Sequence, residues 1–341
     1  MRRLALACAA SILLYALAFG LLLDRPLNHG FLRDRMETKL ARGAAITEPK
    51  LVIIAGSNGP YSHRCEVMEP ILHRPCVNAG VAVGIGLDTL FARWKPLLRP
   101  GDIVYLPLEQ AQYTRPRAAI IVGPDAAIML RHDRTTLASL PPDRWAGAVF
   151  AFDARALVMS GLEMTLRAAG FPDPRGSGAM NAWGDQVGHA AALAGEHAAT
   201  RAAMTPVHQA AEAIAAGEGS REVARFLGWA RARGVTVVGG LATGFADSPI
   251  PAPTLAAIRA VYQAEGARFL ALPNLSRYPR SAFFDSPDHL HEDAQIAHAR
   301  LVAWGLVGEG VGSGGGVVPC ASWGGDEEAV YPNRVGMRAE P

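Results

Sequence analysis

Cysteine is scarce: Cys8, Cys65, Cys76 and Cys320 are the only four, and no CxxC pair occurs among them. That argues against a zinc finger or ribbon, which needs close-set thiolates. Charge of one sign is lacking too. The 33 Lys and Arg are nearly matched by 31 Asp and Glu, leaving a net +2. With no long basic run, nucleic acid is not an expected partner. Gly80, Gly84 and Gly86 do not form a GxGxxG fingerprint, and no acidic ribose ligand follows them, so no dinucleotide site is expected. His289 and His291 have no further ligand cluster nearby, so neither a metal nor another cofactor is expected. No internal repeat is found.

Apolar residues, by contrast, make up 50% of the 341 positions. That suffices for one large core, or a core domain with an insertion. Residues 4–23, LALACAASILLYALAFGLLL, carry no charge. At about 1.5 Å per residue they would extend roughly 30 Å as a helix, the hydrocarbon thickness of a bilayer. We expect residues 1–25 to be an uncleaved transmembrane anchor and 26–49 a connector to an extracytoplasmic domain. A cleaved signal peptide is the competing reading, since Ala16-Leu17-Ala18 loosely resembles a cleavage site. The flanking charges favour the opposite orientation, but long domains often cross regardless of them. Cys65 and Cys76 flank a short helical stretch. A disulfide between them is one reading, which export would permit; two free, partly buried thiols are the other.

Beyond the connector, short apolar runs alternate with helical patterns. Strands are expected at 51–55, 75–79, 102–107, 235–239 and 268–272, and helices at 60–73, 87–98, 253–265 and 291–305. Alternation stops over about 114–230, which reads as a helical insertion. The pattern predicts an α/β fold with a five-stranded parallel sheet covered on both faces. From 308 to 341 the chain turns Gly-rich and then polar, a composition that does not build a core.

Two segments carry chemistry. Ser57 lies in IIAGSNG, at the carboxyl end of the first expected strand, the edge where open α/β sheets bind ligands. A serine on such a turn is either a nucleophile beside backbone N–H groups, or a phosphate-binding turn or helix N-cap. Residues 283–295, FFDSPDHLHEDAQ, place His289 and two acids just before the last helix. His289 is suited to be the base that a serine nucleophile needs. Asp285 or Asp288 would orient it. We favour Asp285, because side chains of adjacent extended residues point apart. Asp288 would instead face away or cap the helix starting near 291.

AGSNG, VNAGVAVGIGLD and the acid-plus-HL element, in that order, resemble the blocks of the SGNH/GDSL hydrolases. The resemblance covers 50–113 and 235–305, within a domain expected over 50–307. It implies a flavodoxin-like three-layer α/β/α fold, with Ser57 as nucleophile, His289 as base and Asp285 as its acid. It also implies Gly80 as an oxyanion-hole donor through its backbone N–H. One block departs: where the family has an asparagine that completes the oxyanion hole, this chain has Glu109 and Gln110. An ionised glutamate is a poor donor, so Gln110 is the candidate. The Glu-containing form is similar to a membrane-linked branch that accompanies polysaccharide or envelope acylation. The implied activity is a serine esterase or acyl transferase acting on O-acyl groups of an envelope glycan. The implied partners are the acylated glycan, the membrane, and a membrane acyltransferase or polysaccharide synthase. The alternative, supported by the missing asparagine, is a catalytically weak carbohydrate-binding or assembly factor.

Overall fold

The computed structural model describes residues 1–22, 28–151, 154–171 and 179–310. Nine strands are found among them: β1 (Leu51–Ile53), β2 (Cys76–Asn78), β3 (Ile103–Leu106), β4 (Ala179–Met180), β5 (Gln186–Val187), β6 (Thr236–Gly239), β7 (Gly244–Phe245), β8 (Arg268–Phe269) and β9 (Arg277–Tyr278). Five of them form one parallel sheet in the order β2-β1-β3-β6-β8. All five match expected runs, each somewhat shorter. β4 pairs antiparallel with β5, and β7 pairs with β9, as two small separate ribbons.

The sheet is apolar on both faces because both are covered. Val52, Ile54, Val77 and Val104 face a core with α2 (Asn28–Ala45), α5 (Leu87–Trp94) and the helices Glu218–Ala232 and Ala252–Gln263. Leu51, Ile53, Ile103 and Tyr105 alternate to the other side, as strand geometry requires. There they meet α4 (Cys65–Leu72) and the final helix Glu292–Gly308. The helix expected over 60–73 is divided into α3 (Asn58–Ser62) and α4. The chain turns extended at His63 and Arg64, and Cys65 joins Cys76 in a disulfide. At the foot of the sheet Lys50 Nζ donates to Asp102 Oδ2 at 2.8 Å, both side chains being fully buried.

Between residues 114 and 230 the described residues are mainly helical, with β4 and β5 between the helices. Arg144 ties this region to α5 by reaching Asp125, Asp88 and Thr89 in a buried network.

Helix α1 (Arg2–Leu22) exposes Leu4, Leu6, Ile12, Leu13, Leu14 and Leu17. Nevertheless, no helix among the described residues is long and apolar enough to cross a membrane. The transmembrane span expected over 4–23 is therefore not found there; Leu23, the end of that run, lies outside the described residues. The connector is not a mere linker, because α2 packs on the sheet through Met36 and Leu40. Of the expected tail, residues 311–341, including Cys320, lie outside the described residues.

Candidate active site

Ser57 follows β1 at its carboxyl end and occupies the N-cap position of α3, with no side-chain cap hydrogen bond. The bland reading of Ser57 as a helix cap thus loses its support. One turn on, the Tyr61 N–H donates to Ser57 O at 3.3 Å, which puts the two side chains on one helical face.

The Tyr61 ring connects this helix to the second chemical segment. His289 stacks on it, with ring centroids 4.0 Å apart and 14° between planes. His289 Nδ1 and Asp285 Oδ1 are 2.7 Å apart. This pairing arises from a tight hairpin. Phe283 bridges Leu290, and the Phe284 N–H donates to His289 O at 2.8 Å. Pro287 sits in the intervening turn, which folds Asp285 back onto His289. Burial pushes the Asp285 carboxyl up, but its hydrogen bond to His289 and the charges of His289 and His197 hold it below the usual carboxylate value. No hydrogen bond joins Ser57 to His289: the Asp285–His289 pair is formed, and Ser57 lies one helical turn from the tyrosine on which His289 stacks.

The Asp288 side chain makes no hydrogen bond to His289. It is half-buried, and desolvation raises its carboxyl, against the pull of His289 and Arg277. Its backbone carbonyl accepts from Ser62 Oγ at 2.8 Å and Thr243 Oγ1 at 3.1 Å. It does not cap the last helix; His291 holds that position and accepts from the Ala294 N–H at 3.4 Å.

Gly80 lies against the serine turn. A Cβ on it would sit 2.8 Å from Gly56 O and from Gly59 Cα, so only glycine fits. Its N–H, however, donates to Asn78 Oδ1 at 3.3 Å. Gln110 has partners outside the serine turn. Its Nε2 lies 3.0 Å from His208 Nδ1, and its Oε1 accepts from the Gln209 N–H at 2.8 Å. The side chain is thus held by His208 and Gln209. Glu109 takes the place beside the serine turn instead. The Asn58 N–H donates to its Oε1 at 3.4 Å, and a Cβ on Gly56 would come within 2.3 Å of that oxygen. Burial and the neighbouring Asp288 charge push the Glu109 carboxyl up to about 8, against the backbone N–H groups of Asn58 and Ser57.

Residues outside the expected blocks support the site. Asp185, on the β4–β5 turn, accepts from the Cys65 N–H and Asn78 Nδ2, each at 3.0 Å, and from the Glu66 N–H at 3.3 Å. It closes the amino end of α4 and anchors Asn78, which holds Gly80. Asp185→Asn keeps one acceptor oxygen and loses the charge-assisted bonds. It is expected to lower unfolding free energy by about 1–3 kcal/mol, read as a shifted denaturant midpoint at constant slope. Lys39 of α2 is fully enclosed and donates to Gly80 O and to Gly184 O, the latter at 2.8 Å. Burial first, then the Arg35 charge, lowers its ammonium to about 7, against the pull of Asp185. His189 meets Tyr61 edge-on at 5.2 Å. Among the described residues no group of three or more His, Cys, Asp and Glu is placed to hold a metal ion.

No protein-family model, curated protein or solved structure matches the chain. The functional reading therefore rests on the geometry of these side chains.

Proposed function

We propose that the chain is a serine esterase or acyl transferase of SGNH/GDSL type, acting on O-acyl groups of an envelope glycan. The observation that carries this reading is the Asp285–His289 pair, seated on Tyr61 one turn from Ser57. The order β2-β1-β3-β6-β8 supports a flavodoxin-like sheet, with the site at the carboxyl ends of its strands. In the proposed reaction the Ser57 hydroxyl attacks an acyl carbonyl and gives its proton to His289. His289 returns that proton to the leaving hydroxyl oxygen, and Asp285 fixes the imidazole tautomer. Water or a sugar hydroxyl then takes the acyl group from Ser57.

The disulfide supports an oxidising, extracytoplasmic compartment. The exposed leucines of α1 support attachment to a membrane or to a membrane acyltransferase or polysaccharide synthase. The engaged amides of Gly80 and Gln110 favour a second reading, a glycan-binding assembly factor with little catalysis.

Incubation with a fluorophosphonate probe tests the choice. Mass spectrometry is expected to find the adduct on Ser57, and p-nitrophenyl acetate hydrolysis is expected to exceed that of Ser57→Ala. Absence of adduct together with retained glycan binding would favour the assembly factor.

A further inference from the structure

We propose that Lys39 is a positioning residue for the reaction: by bridging Gly80 O and Gly184 O, its amine sets where the serine turn sits and so how Ser57 meets the acyl carbon. The inference rests on the serine-enzyme reading above. Ser57 needs outside support. Its side chain makes no capping hydrogen bond, and α3 has only five residues, too few to hold a helical turn unaided. Its position is therefore set by what packs against its neighbours. Lys39 comes from α2, outside both catalytic segments, and is only 2% exposed. Its Nζ donates to two backbone carbonyls rather than to a carboxylate. An enclosed lysine without an ion-pair partner is costly, and here both hydrogen bonds lead to the serine turn.

Two routes run from the amine to the flanks of Ser57. The first passes through Gly80. With its carbonyl held, the Gly80–Val81 peptide plane is fixed. Gly80 in turn touches the backbone on both sides of Ser57: a Cβ on it would lie 2.8 Å from Gly56 O and from Gly59 Cα. Backbone packed this closely cannot shift on one side alone. The second route passes through Gly184, in the β4–β5 turn. A Cβ there would lie 3.1 Å from Lys39 Cγ and 2.6 Å from Asn78 O. The next residue, Asp185, accepts from Asn78 Nδ2 at 3.0 Å, and the same Nδ2 donates to Gly59 O at 3.0 Å. Arg35, one turn before Lys39, braces this region by donating to Gln186 Oε1 at 2.8 Å. An ammonium has three N–H groups and a neutral amine two, so both carbonyls stay held in either protonation state. Removing the amine takes the anchor from both routes and leaves two buried carbonyls without it.

The test is p-nitrophenyl acetate hydrolysis by the full chain carrying Lys39→Met, which keeps an unbranched side chain and removes its N–H groups. A displaced nucleophile loses turnover rather than binding. The kcat is therefore expected to fall between about tenfold and a hundredfold, with KM within about threefold of wild type. Asp102→Asn is the control. It weakens the fully buried pair with Lys50 at the foot of the sheet, and is expected to lower the denaturant midpoint without that loss of kcat. In Lys39→Ala, propylamine supplies the atoms removed and is expected to raise kcat again. Propanol, with a single O–H to donate, is expected to raise it less. Should Lys39→Met fail to fold, Lys39→Gln gives the second reading: its shorter side chain spans the two carbonyls less well, and kcat is expected to fall while KM holds. A folded variant with wild-type kcat overturns the proposal, as does an equal loss in Asp102→Asn or equal rescue by alcohol and amine. A wild-type chain whose hydrolysis does not depend on Ser57 overturns the serine-enzyme reading itself, and this proposal with it.

Discussion

Asp285→Asn is expected to lower Ser57-dependent hydrolysis of p-nitrophenyl acetate on the order of a hundredfold or more. The carboxylate lies 2.7 Å from His289 Nδ1. Its acceptor oxygen keeps the proton of neutral imidazole on Nδ1 and leaves Nε2 free to take the serine proton. An asparagine can turn its NH2 toward Nδ1, which favours the other tautomer and puts a hydrogen where the base should be. It also removes the negative charge that stabilises the imidazolium. Asp288→Asn should behave differently. That side chain interacts with Glu109, Arg277 and His289 rather than holding the imidazole. Its loss is expected to slow the neutral-pH rate by less than about tenfold. Equal, small losses from both substitutions would mean that neither acid orients His289. A selective loss at Asp288 would reverse the assignment.

The turn that creates this contrast was legible only in part. FFDSPDH announces a bend through Pro287, and five continuous apolar runs such as Leu51–Ile53 announce buried parallel strands. Such signals are local, so a linear reading finds them. What it missed depends on distant neighbours. Gln110 could have faced the serine or the insertion; contacts with His208 and Gln209 decided that. Glu109 reads only as a poor hydrogen-bond donor until the fold buries it against Gly56 and Asn58, some fifty residues earlier in the chain. Residues 26–49 read as a connector, although Lys39 is buried against Gly80 and Gly184. The insertion offered one usable clue: Asn181-Ala-Trp-Gly-Asp185 is a turn pattern. Gly184 indeed has φ +90°, and a Cβ there would lie 2.6 Å from Asn78 O. That close approach is how Asp185 reaches Asn78 and the start of α4.

The buried histidines behind the serine helix give the second large expected effect, on stability against acid. His63 is completely enclosed, 5.6 Å from the Tyr105 ring and 5.0 Å from His298. Burial lowers its imidazole from the ordinary 6.5 to about 4, against the pull of the Asn58 and Gly59 backbone. His298, held by Tyr278 at 2.8 Å, is lowered well below its usual value by burial and then by His63. For a depressed histidine the stabilising contribution is complete above the unfolded value of 6.5. It is lost as pH falls toward the folded value of about 4, because the unfolded chain binds the proton first. At about 1.4 kcal/mol per pH unit, His63 alone costs about 3 kcal/mol by pH 4. Glu109 works in the opposite sense. Its raised carboxyl contributes stability that is complete below the unfolded value of 4.5 and is lost as pH rises through about 8. The wild-type curve mixes these slopes, so the informative quantity is the difference between wild type and His63→Leu. The leucine variant carries a fixed packing cost at every pH, and only its proton linkage varies. Relative to wild type, its unfolding free energy should therefore improve by about 3 kcal/mol between pH 7 and pH 4, read from denaturant midpoints at each pH. A difference that stays constant across that range would mean that His63 takes up its proton as readily in the folded chain as in the unfolded one.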